Sequence, residues 1–201
     1  MITIIDYGLG NIRSLMNWFS RASMDVNFSN DLSVIQASDL LILPGVGAYE
    51  DAMKKLKEKN LVEVLDKHVS AGKPLVGICL GMQLLYDSSY EGGYYKGLGF
   101  IPGDIVPFDE EEVKVPQMGW NTLTSKDERF DSSYVYFVHS YYAKSDFSEV
   151  VAYTEYDVKV PAIVKKDNVL GFQFHPEKSG DIGQDMLVLI KELEDDYISS
   201  N

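Results

Sequence analysis

Gly77-Ile78-Cys79-Leu80-Gly81 joins an apolar segment, residues 73–78, to a segment with helical periodicity, residues 80–87. A nucleophile between two glycines at a strand-to-helix junction is typical of a nucleophile elbow, here with cysteine in place of serine. The sharp turn strains the backbone of the central residue, and side chains at the flanking positions would collide with neighbouring strands. The stretch therefore predicts a strand, a tight turn and a helix, with Cys79 at the turn.

Apolar and helical segments alternate through the first half of the chain, which indicates a parallel sheet covered on both faces by helices. Strands are predicted at residues 2–5, 25–28, 39–43 and 73–78. Helices are predicted after residue 11, with Ile12, Leu15, Met16 and Phe19 on one face, and at residues 49–69, with a break near Asn60.

The second half changes to short strands with few helices between them. We expect strands at residues 105–106, 134–138, 150–154, 161–164 and 169–172, and a closing amphipathic helix at 181–197. The predicted fold class is therefore α/β, with a mostly parallel central sheet flanked by helices and an added antiparallel portion. The 201 residues suit a single domain, residues 1–201, because no repeat or linker interrupts them.

The composition is that of a soluble protein with a core, at 45% hydrophobic and 24% charged residues. The formal net charge of -13 argues against a nucleic-acid partner, since affinity for phosphates comes mainly from Lys and Arg. Cys79 is the only cysteine, so an intramolecular disulfide and a cysteine-based zinc site are excluded. We expect no metal, no cofactor, no membrane segment and a cytoplasmic location.

The elbow leaves two interpretations of the role of Cys79. A helix N-terminus favours a thiolate, and the N–H of Leu80 would point to where an oxyanion forms. The alternative is that Cys79 is a small buried hydrophobe, as free cysteines often are.

A reactive cysteine needs a base, and the chain has three histidines. We predict that His68 lies at the surface or in the last turn of its helix, and that His139 follows a strand. In His175-Pro176-Glu177, the proline keeps the histidine extended, so residues two apart face the same way. Glu177 would then fix the imidazole and leave its other nitrogen for the thiol. The alternative is a surface turn at which the proline merely ends a strand.

Pro44-Gly45-Val46-Gly47 follows the third apolar strand, where loops of an open α/β sheet lie near the ligand crevice. A backbone N–H of this loop would complete an oxyanion hole with Leu80, because glycines permit close approach and unusual angles. A similar stretch, Gly8-Leu9-Gly10-Asn11, is interpreted as a strand-to-helix turn, since it lacks the full dinucleotide fingerprint.

Together these motifs resemble the class I, triad-type glutamine amidotransferases over essentially the whole chain. Within that class, four segments are similar to the glutaminase subunits of imidazole glycerol phosphate synthase. They are Pro44-Gly45-Val46-Gly47-Ala48, Gly77-Ile78-Cys79-Leu80-Gly81-Met82-Gln83, Pro116-Gln117-Met118-Gly119-Trp120-Asn121 and Phe137-Val138-His139-Ser140-Tyr141.

The resemblance implies a flavodoxin-like fold and a role for each matching position. Cys79 would form a γ-glutamyl thioester and release ammonia, His175 would move the protons, and Glu177 would orient the histidine. The positions that match glutamine-binding residues are Gln83, Glu91, Ser140 and Tyr141, and those that match partner-facing residues are Asn11, Met118, Trp120 and Asn121. The implied partner is a cyclase subunit with a (β/α)8 barrel, which receives the ammonia through an interior passage.

Three other functions remain open at this point. The same chemistry could serve anthranilate or aminodeoxychorismate synthase, against which Met118-Gly119-Trp120-Asn121 argues. The chain could also be a stand-alone γ-glutamyl hydrolase or cysteine peptidase, or a subunit whose triad is vestigial. A further hypothesis concerns control, namely that the 44–47 loop turns its N–H groups toward the substrate only when a liganded partner binds.

Overall fold

The structure is a computed structural model that describes residues 1–199. Its helices are α1 (Ile12–Arg21), α2 (Leu32–Ala37), α3 (Tyr49–Glu58), α4 (Leu61–Ser70), α5 (Leu80–Leu84), α6 (Gly180–Asp185) and α7 (Leu187–Ser199), with a 3₁₀ turn at Pro176–Lys178. Its strands are β1 (Ile2–Ile5), β2 (Val26–Ser29), β3 (Leu40–Leu43), β4 (Leu75–Ile78), β5 (Tyr86–Ser89), β6 (Tyr95–Lys96), β7 (Ile101–Pro107), β8 (Gln117–Thr122), β9 (Thr124–Ser125), β10 (Tyr134–His139), β11 (Tyr141–Lys144), β12 (Val150–Tyr156), β13 (Val158–Lys166) and β14 (Val169–Phe172).

The central sheet has the strand order β2-β1-β3-β4-β14-β13-β12-β9. The strands from β2 to β14 are parallel, and β13, β12 and β9 continue the sheet in antiparallel pairing. A separate two-stranded ribbon pairs β8 with β10, and a second small sheet has the order β11-β7-β5-β6. This confirms the predicted α/β class and an antiparallel addition from the second half, formed in this sheet by β13, β12 and β9. The strand predicted at residues 169–172 differs from the rest of that addition, because β14 pairs in parallel with β4.

Alternate residues of the buried strands supply two cores, one on each face of the sheet. Leu40 and Ile42 of β3 pack with residues of α1 and α7, whereas Leu41 and Leu43 pack with residues of α3 and α4. Successive side chains of a strand point to opposite faces, so a run in which every residue is apolar can be buried on both.

The helix predicted at residues 80–87 is shorter than the periodicity indicated. α5 ends at Leu84, because the carbonyls of Leu84, Leu85 and Tyr86 accept hydrogen bonds from residues 98–101 instead of continuing a helix. Tyr86 therefore starts a strand of the second small sheet.

The apolar face of α1 also differs from the prediction. Met16 is 39% exposed, and the buried set is Leu15, Trp18 and Phe19. The indole N–H of Trp18 donates to the carbonyl of Gly183 at 2.8 Å, which turns this face of the helix toward α6. The break near Asn60 is confirmed, since that residue adopts a left-handed conformation between α3 and α4.

Candidate active site

Cys79 occupies a tight turn between β4 and α5, with φ 55 and ψ -113. A Cβ on Gly77 would lie 2.6 Å from the carbonyl oxygen of Gly81, and a Cβ on Gly81 would lie 1.9 Å from that of Leu43. Both glycines are thus required by the close approach of the backbone. The N–H of Cys79 donates to the carbonyl of Phe172 at 2.7 Å, which ties the elbow to β14.

His175 and Glu177 come together just after β14. Nδ1 of the histidine lies 2.7 Å from Oε1 of the glutamate, and the two side chains are only 3% and 2% exposed. The chain path differs from the prediction, because the extended conformation ends at His175 and Pro176 begins a 3₁₀ turn that contains Glu177. The turn brings the Glu177 carboxylate to the imidazole, whereas the prediction placed the two side chains on the same face of an extended strand.

Ser179 holds the backbone of His175 against the ribbon strand β10. Its hydroxyl donates to the His175 carbonyl at 2.6 Å and accepts from the N–H of Tyr136 at 3.0 Å. The N–H of His175 donates to the Tyr136 carbonyl at 2.9 Å. Sequence analysis did not find Ser179, and its position after the His-Pro-Glu motif was the only signal for it.

The electrostatics of His175 are set by two neighbours. Burial lowers its pKa, but hydrogen bonds to Cys79 and Glu177 and the charges of both outweigh burial and raise the pKa to about 10. The imidazole is therefore protonated at neutral pH, and Nε2 is left for the sulfur because Nδ1 faces the carboxylate. The imidazolium therefore places a positive charge beside Cys79, to which the short helix α5, with five residues, adds only a small dipole.

The other two histidines are buried and neutral. His68 lies in the last turn of α4, as one alternative predicted, but it is 5% exposed, so the surface alternative is wrong. Its Nε2 lies 2.9 Å from the Pro74 carbonyl oxygen, and burial lowers its pKa to about 4. His139 ends β10 with Nδ1 2.8 Å from the Tyr141 carbonyl oxygen, and burial likewise lowers its pKa to about 4.

A cavity of about 330 Å³ opens over Cys79. Three adjacent parallel strands, β3, β4 and β14, end at this edge and deliver the 44–47 loop, the cysteine and the histidine. The lining residues that sequence analysis had named as site residues are Val46, Gly47, Cys79, Leu80, Gln83, Glu91, Ser140, Tyr141 and His175. The lining residues it had not named as such are Pro116, Val138, His139 and Lys178.

Gly45 lies under the cavity and does not line it. A Cβ at this position would be 2.9 Å from the Gly81 N and from Leu80 Cβ, so Gly45 lets the 44–47 loop pack on the elbow. Gly47 has φ +100, and a Cβ there would meet nothing. The base of the loop is held by the buried hydroxyl of Tyr7, which donates to the Pro44 carbonyl at 2.6 Å.

One end of the cavity presents hydrogen-bond acceptors. Burial raises the pKa of Glu91, whose Oε2 accepts from the N–H of Tyr49 at 3.3 Å. Gln83 donates through Nε2 to the Tyr141 carbonyl at 2.9 Å and to Oε1 of Gln173 at 3.0 Å. Gln173 was not identified from the sequence, and its polar side chain between two phenylalanines was the available signal.

The predicted partner-facing residues do not all share one face. Met118 and Trp120 are 63% and 52% exposed on the outer face of the ribbon, where Tyr134 is also exposed. Asn121 alternates to the inner face opposite the buried Val135, and it is only half-buried. Asn11 is exposed at the start of α1.

Residues 1–199 show neither a cluster of metal-ligating side chains nor a membrane-spanning helix. No group of three or more His, Cys, Asp or Glu side chains in this part of the chain is placed to hold a metal ion. None of the helices described is both long and apolar enough to cross a membrane.

An elbow cysteine beside a buried His–Glu pair, at the carboxyl edge of a mostly parallel sheet, combines a nucleophile, a base and an orienting carboxylate, an arrangement typical of triad-type amidotransferases and of cysteine hydrolases. The protein-family model described as glutamine amidotransferase class-I matches residues 3–190. The chain is 44% identical over 199 residues to the imidazole glycerol phosphate synthase subunit HisH of Carboxydothermus hydrogenoformans, covering 96% of this chain and 100% of the relative. It is 48% identical over 193 residues to the subunit of the same name from Lactococcus lactis subsp. lactis, covering 92% and 95%.

The chain therefore belongs to the class I glutamine amidotransferases and, within them, to the HisH family of imidazole glycerol phosphate synthase subunits. Solved structures agree in fold. A glutamine amidotransferase crystal structure aligns with a TM-score of 0.76 at 20% identity, covering 96% of this chain and 98% of the other. PurLQS from Thermotoga maritima aligns with a TM-score of 0.73 at 19% identity, covering 98% of each chain. The family and fold indicated by the sequence motifs are confirmed.

Proposed function

We propose that this chain is the glutaminase subunit of imidazole glycerol phosphate synthase and supplies ammonia to a cyclase subunit. The observation that carries the proposal is the elbow Cys79 beside a His175 that Glu177 holds at 2.7 Å, with the cysteine and the histidine lining one cavity. The names of the relatives support the choice of synthase. We further propose that residues 1–201 act as one domain in the cytoplasm, without metal or cofactor.

The reaction proceeds in two halves. The Cys79 sulfur attacks the side-chain amide carbon of glutamine, and the N–H of Leu80 and one from the 44–47 loop stabilise the oxyanion. Protonated His175 gives its proton to the departing nitrogen, so ammonia leaves and a γ-glutamyl thioester remains. His175 then takes a proton from water, the hydroxide attacks the thioester, and glutamate is released while the sulfur is regenerated.

The other residues of the site bind the substrate glutamine or the cyclase subunit. Gln83, Glu91, Ser140 and Tyr141 line the cavity in which glutamine binds. The exposed Met118 and Trp120, with Asn121 and Asn11, contact the cyclase, whose (β/α)8 barrel receives the ammonia away from solvent. The products are imidazole glycerol phosphate and an aminoimidazole carboxamide ribonucleotide.

Coupling to the partner acts through the 44–47 loop. Gly47 has φ +100 and a Cβ there would have no atom within 4 Å, and a glycine gives the adjoining peptide groups the conformational freedom to reorient. We expect partner-stimulated glutaminase activity to be lost in Gly47→Pro, because proline has no N–H and cannot adopt this φ.

The test is glutamate formation from L-glutamine by the chain alone and with the cyclase subunit and its nucleotide ligand. We expect little activity alone and a large rise with the liganded cyclase. Cys79→Ala with the liganded cyclase is the control for background hydrolysis. Activity alone that the cyclase does not change would contradict the partner assignment, and stimulation by a chorismate-using synthase would replace it.

A further inference from the structure

Gln173 is a fully buried polar residue between two buried phenylalanines, Phe172 and Phe174. Its Oε1 accepts a hydrogen bond from Nε2 of Gln83 at 3.0 Å. Its own Nε2 has no hydrogen-bond partner among the residues described. A buried amide donor without a partner lowers stability, so packing alone does not account for glutamine at this position.

The contacts with Gln173 and with the Tyr141 carbonyl together determine how Gln83 presents its amide to the cavity. The NH₂ group of Gln83 carries two hydrogens, and both have acceptors, namely the Tyr141 carbonyl at 2.9 Å and Gln173 Oε1 at 3.0 Å. Only Oε1 of Gln83 is then left for a ligand, and it can only accept. Rotating the Gln83 amide by half a turn would set this oxygen against the Tyr141 carbonyl oxygen and, with Gln173 oriented as observed, against Gln173 Oε1, so the observed orientation is favoured.

His139 holds the second acceptor in place. Its Nδ1 lies 2.8 Å from the Tyr141 carbonyl oxygen, and since a carbonyl only accepts, Nδ1 carries the proton. The Tyr141 carbonyl thus receives hydrogen bonds from both His139 and Gln83. Gln173 supplies the other acceptor, and without it one hydrogen of the Gln83 amide would have no acceptor and the Tyr141 carbonyl alone would hold the group.

We propose that Gln173 is a positioning residue that makes Gln83 an acceptor for the α-ammonium group of glutamine. The proposal rests on the glutaminase function proposed above. Glu91 lines the same cavity and adds a carboxylate. An amide oxygen together with a carboxylate suits a cationic donor and disfavours an anion.

The experiment compares L-glutamine with glutaramic acid, which has the same amide and carboxylate but lacks the α-amino group. In the complex with the liganded cyclase, Gln173→Met removes the acceptor at similar volume. We expect KM for glutamine to rise about 10-fold or more with little change in kcat, since hydrogen bonds to charged groups are worth that much. The kcat/KM for glutaramic acid should stay within about 2-fold, so the preference for glutamine falls about 10-fold.

Two further variants make the test specific. Gln173→Glu keeps an oxygen acceptor toward Gln83 and should retain the preference for glutamine. Gln173→Asn keeps the polarity but is too short to reach Gln83, so it should lose the preference for glutamine over glutaramic acid. This variant also provides the test if Gln173→Met does not fold. In a Gln83→Leu background, Gln173→Met should have no additional effect on the preference.

The outcomes separate this inference from the proposed function. If the wild-type complex prefers glutamine and Gln173→Met lowers kcat/KM equally for both substrates, the positioning role is wrong and Gln173 is structural. If the wild-type complex hydrolyses neither substrate, the proposed function itself is overturned, and the role of Gln173 with it.

Discussion

His68 and His175 are both buried and both lie within hydrogen-bond distance of an oxygen, yet their pKa values move in opposite directions. His68, at the end of α4, faces the neutral carbonyl of Pro74, and burial lowers its pKa to about 4. His175 is also penalised by burial, but Cys79 and Glu177 raise its pKa to about 10. Burial alone does not create an acid–base group in this chain, whereas ionisable partners facing the imidazole do.

The largest expected effect comes from removing the sulfur beside His175. Cys79→Ala should lower glutaminase activity on the order of 10⁴-fold or more, because no covalent intermediate can form. It should also lower the pKa of His175, since one of the two groups that raise it is gone. Steady-state assays of the complex and an NMR titration of the imidazole check both results. An unchanged titration of His175 would mean that the sulfur does not interact with it.

Removing the carboxylate should have the next largest effect. Glu177→Gln should reduce kcat by about 10² to 10⁴-fold, because the imidazole loses its tautomer control and part of the charge that keeps it protonated. The pKa of His175 should fall, which the same NMR titration measures. Glu63→Gln, which changes an exposed glutamate on α4, is the matched control and should leave both quantities unchanged.

His68→Leu should separate stability from activity. The variant removes the hydrogen bond to Pro74 and should lower the free energy of unfolding by about 1 kcal/mol, since that carbonyl still accepts from the N–H of Leu41. Glutaminase activity should stay within about 2-fold of wild type. Urea unfolding and the glutamate assay measure the two. A large loss of activity in a folded variant would contradict the distinction between the two histidines.

A change in the shape of the pH–stability curve should also distinguish the histidines. His68 and His139 have a pKa of about 4 in the folded protein and 6.5 in the unfolded chain. Keeping them neutral therefore does not reduce the free energy of unfolding above pH 6.5, but reduces it as the pH falls toward 4, because the unfolded chain binds the protons first. For His175 the stabilisation is complete below pH 6.5 and is lost as pH rises through about 10. Urea unfolding from pH 4 to pH 10 should show a shallower acid limb in His68→Leu and a shallower alkaline limb in Glu177→Gln. Parallel curves for all three proteins would contradict these assignments.

The sequence alone determined the elements whose demands are local. Gly77 and Gly81 flank Cys79 because any side chain there would collide with backbone atoms. The spacing of the two glycines around the cysteine is enough to predict this constraint. The continuous apolar runs at residues 2–5, 39–43 and 73–78 determined parallel strands, because only a sheet covered on both faces buries every residue of such a run.

Tertiary structure decided the features that depend on distant partners. α5 stops at Leu84 because residues 98–101 take the carbonyls that a longer helix would use. His68 is buried although its helix has a polar face, because the Pro74 carbonyl accepts a hydrogen bond from its imidazole. Gln173 meets Gln83 across 90 residues of sequence, so no local pattern could indicate the contact. Periodicity and motif spacing record what a segment requires of its own backbone, whereas hydrogen-bond competition and charge pairing arise only when separate segments are packed together.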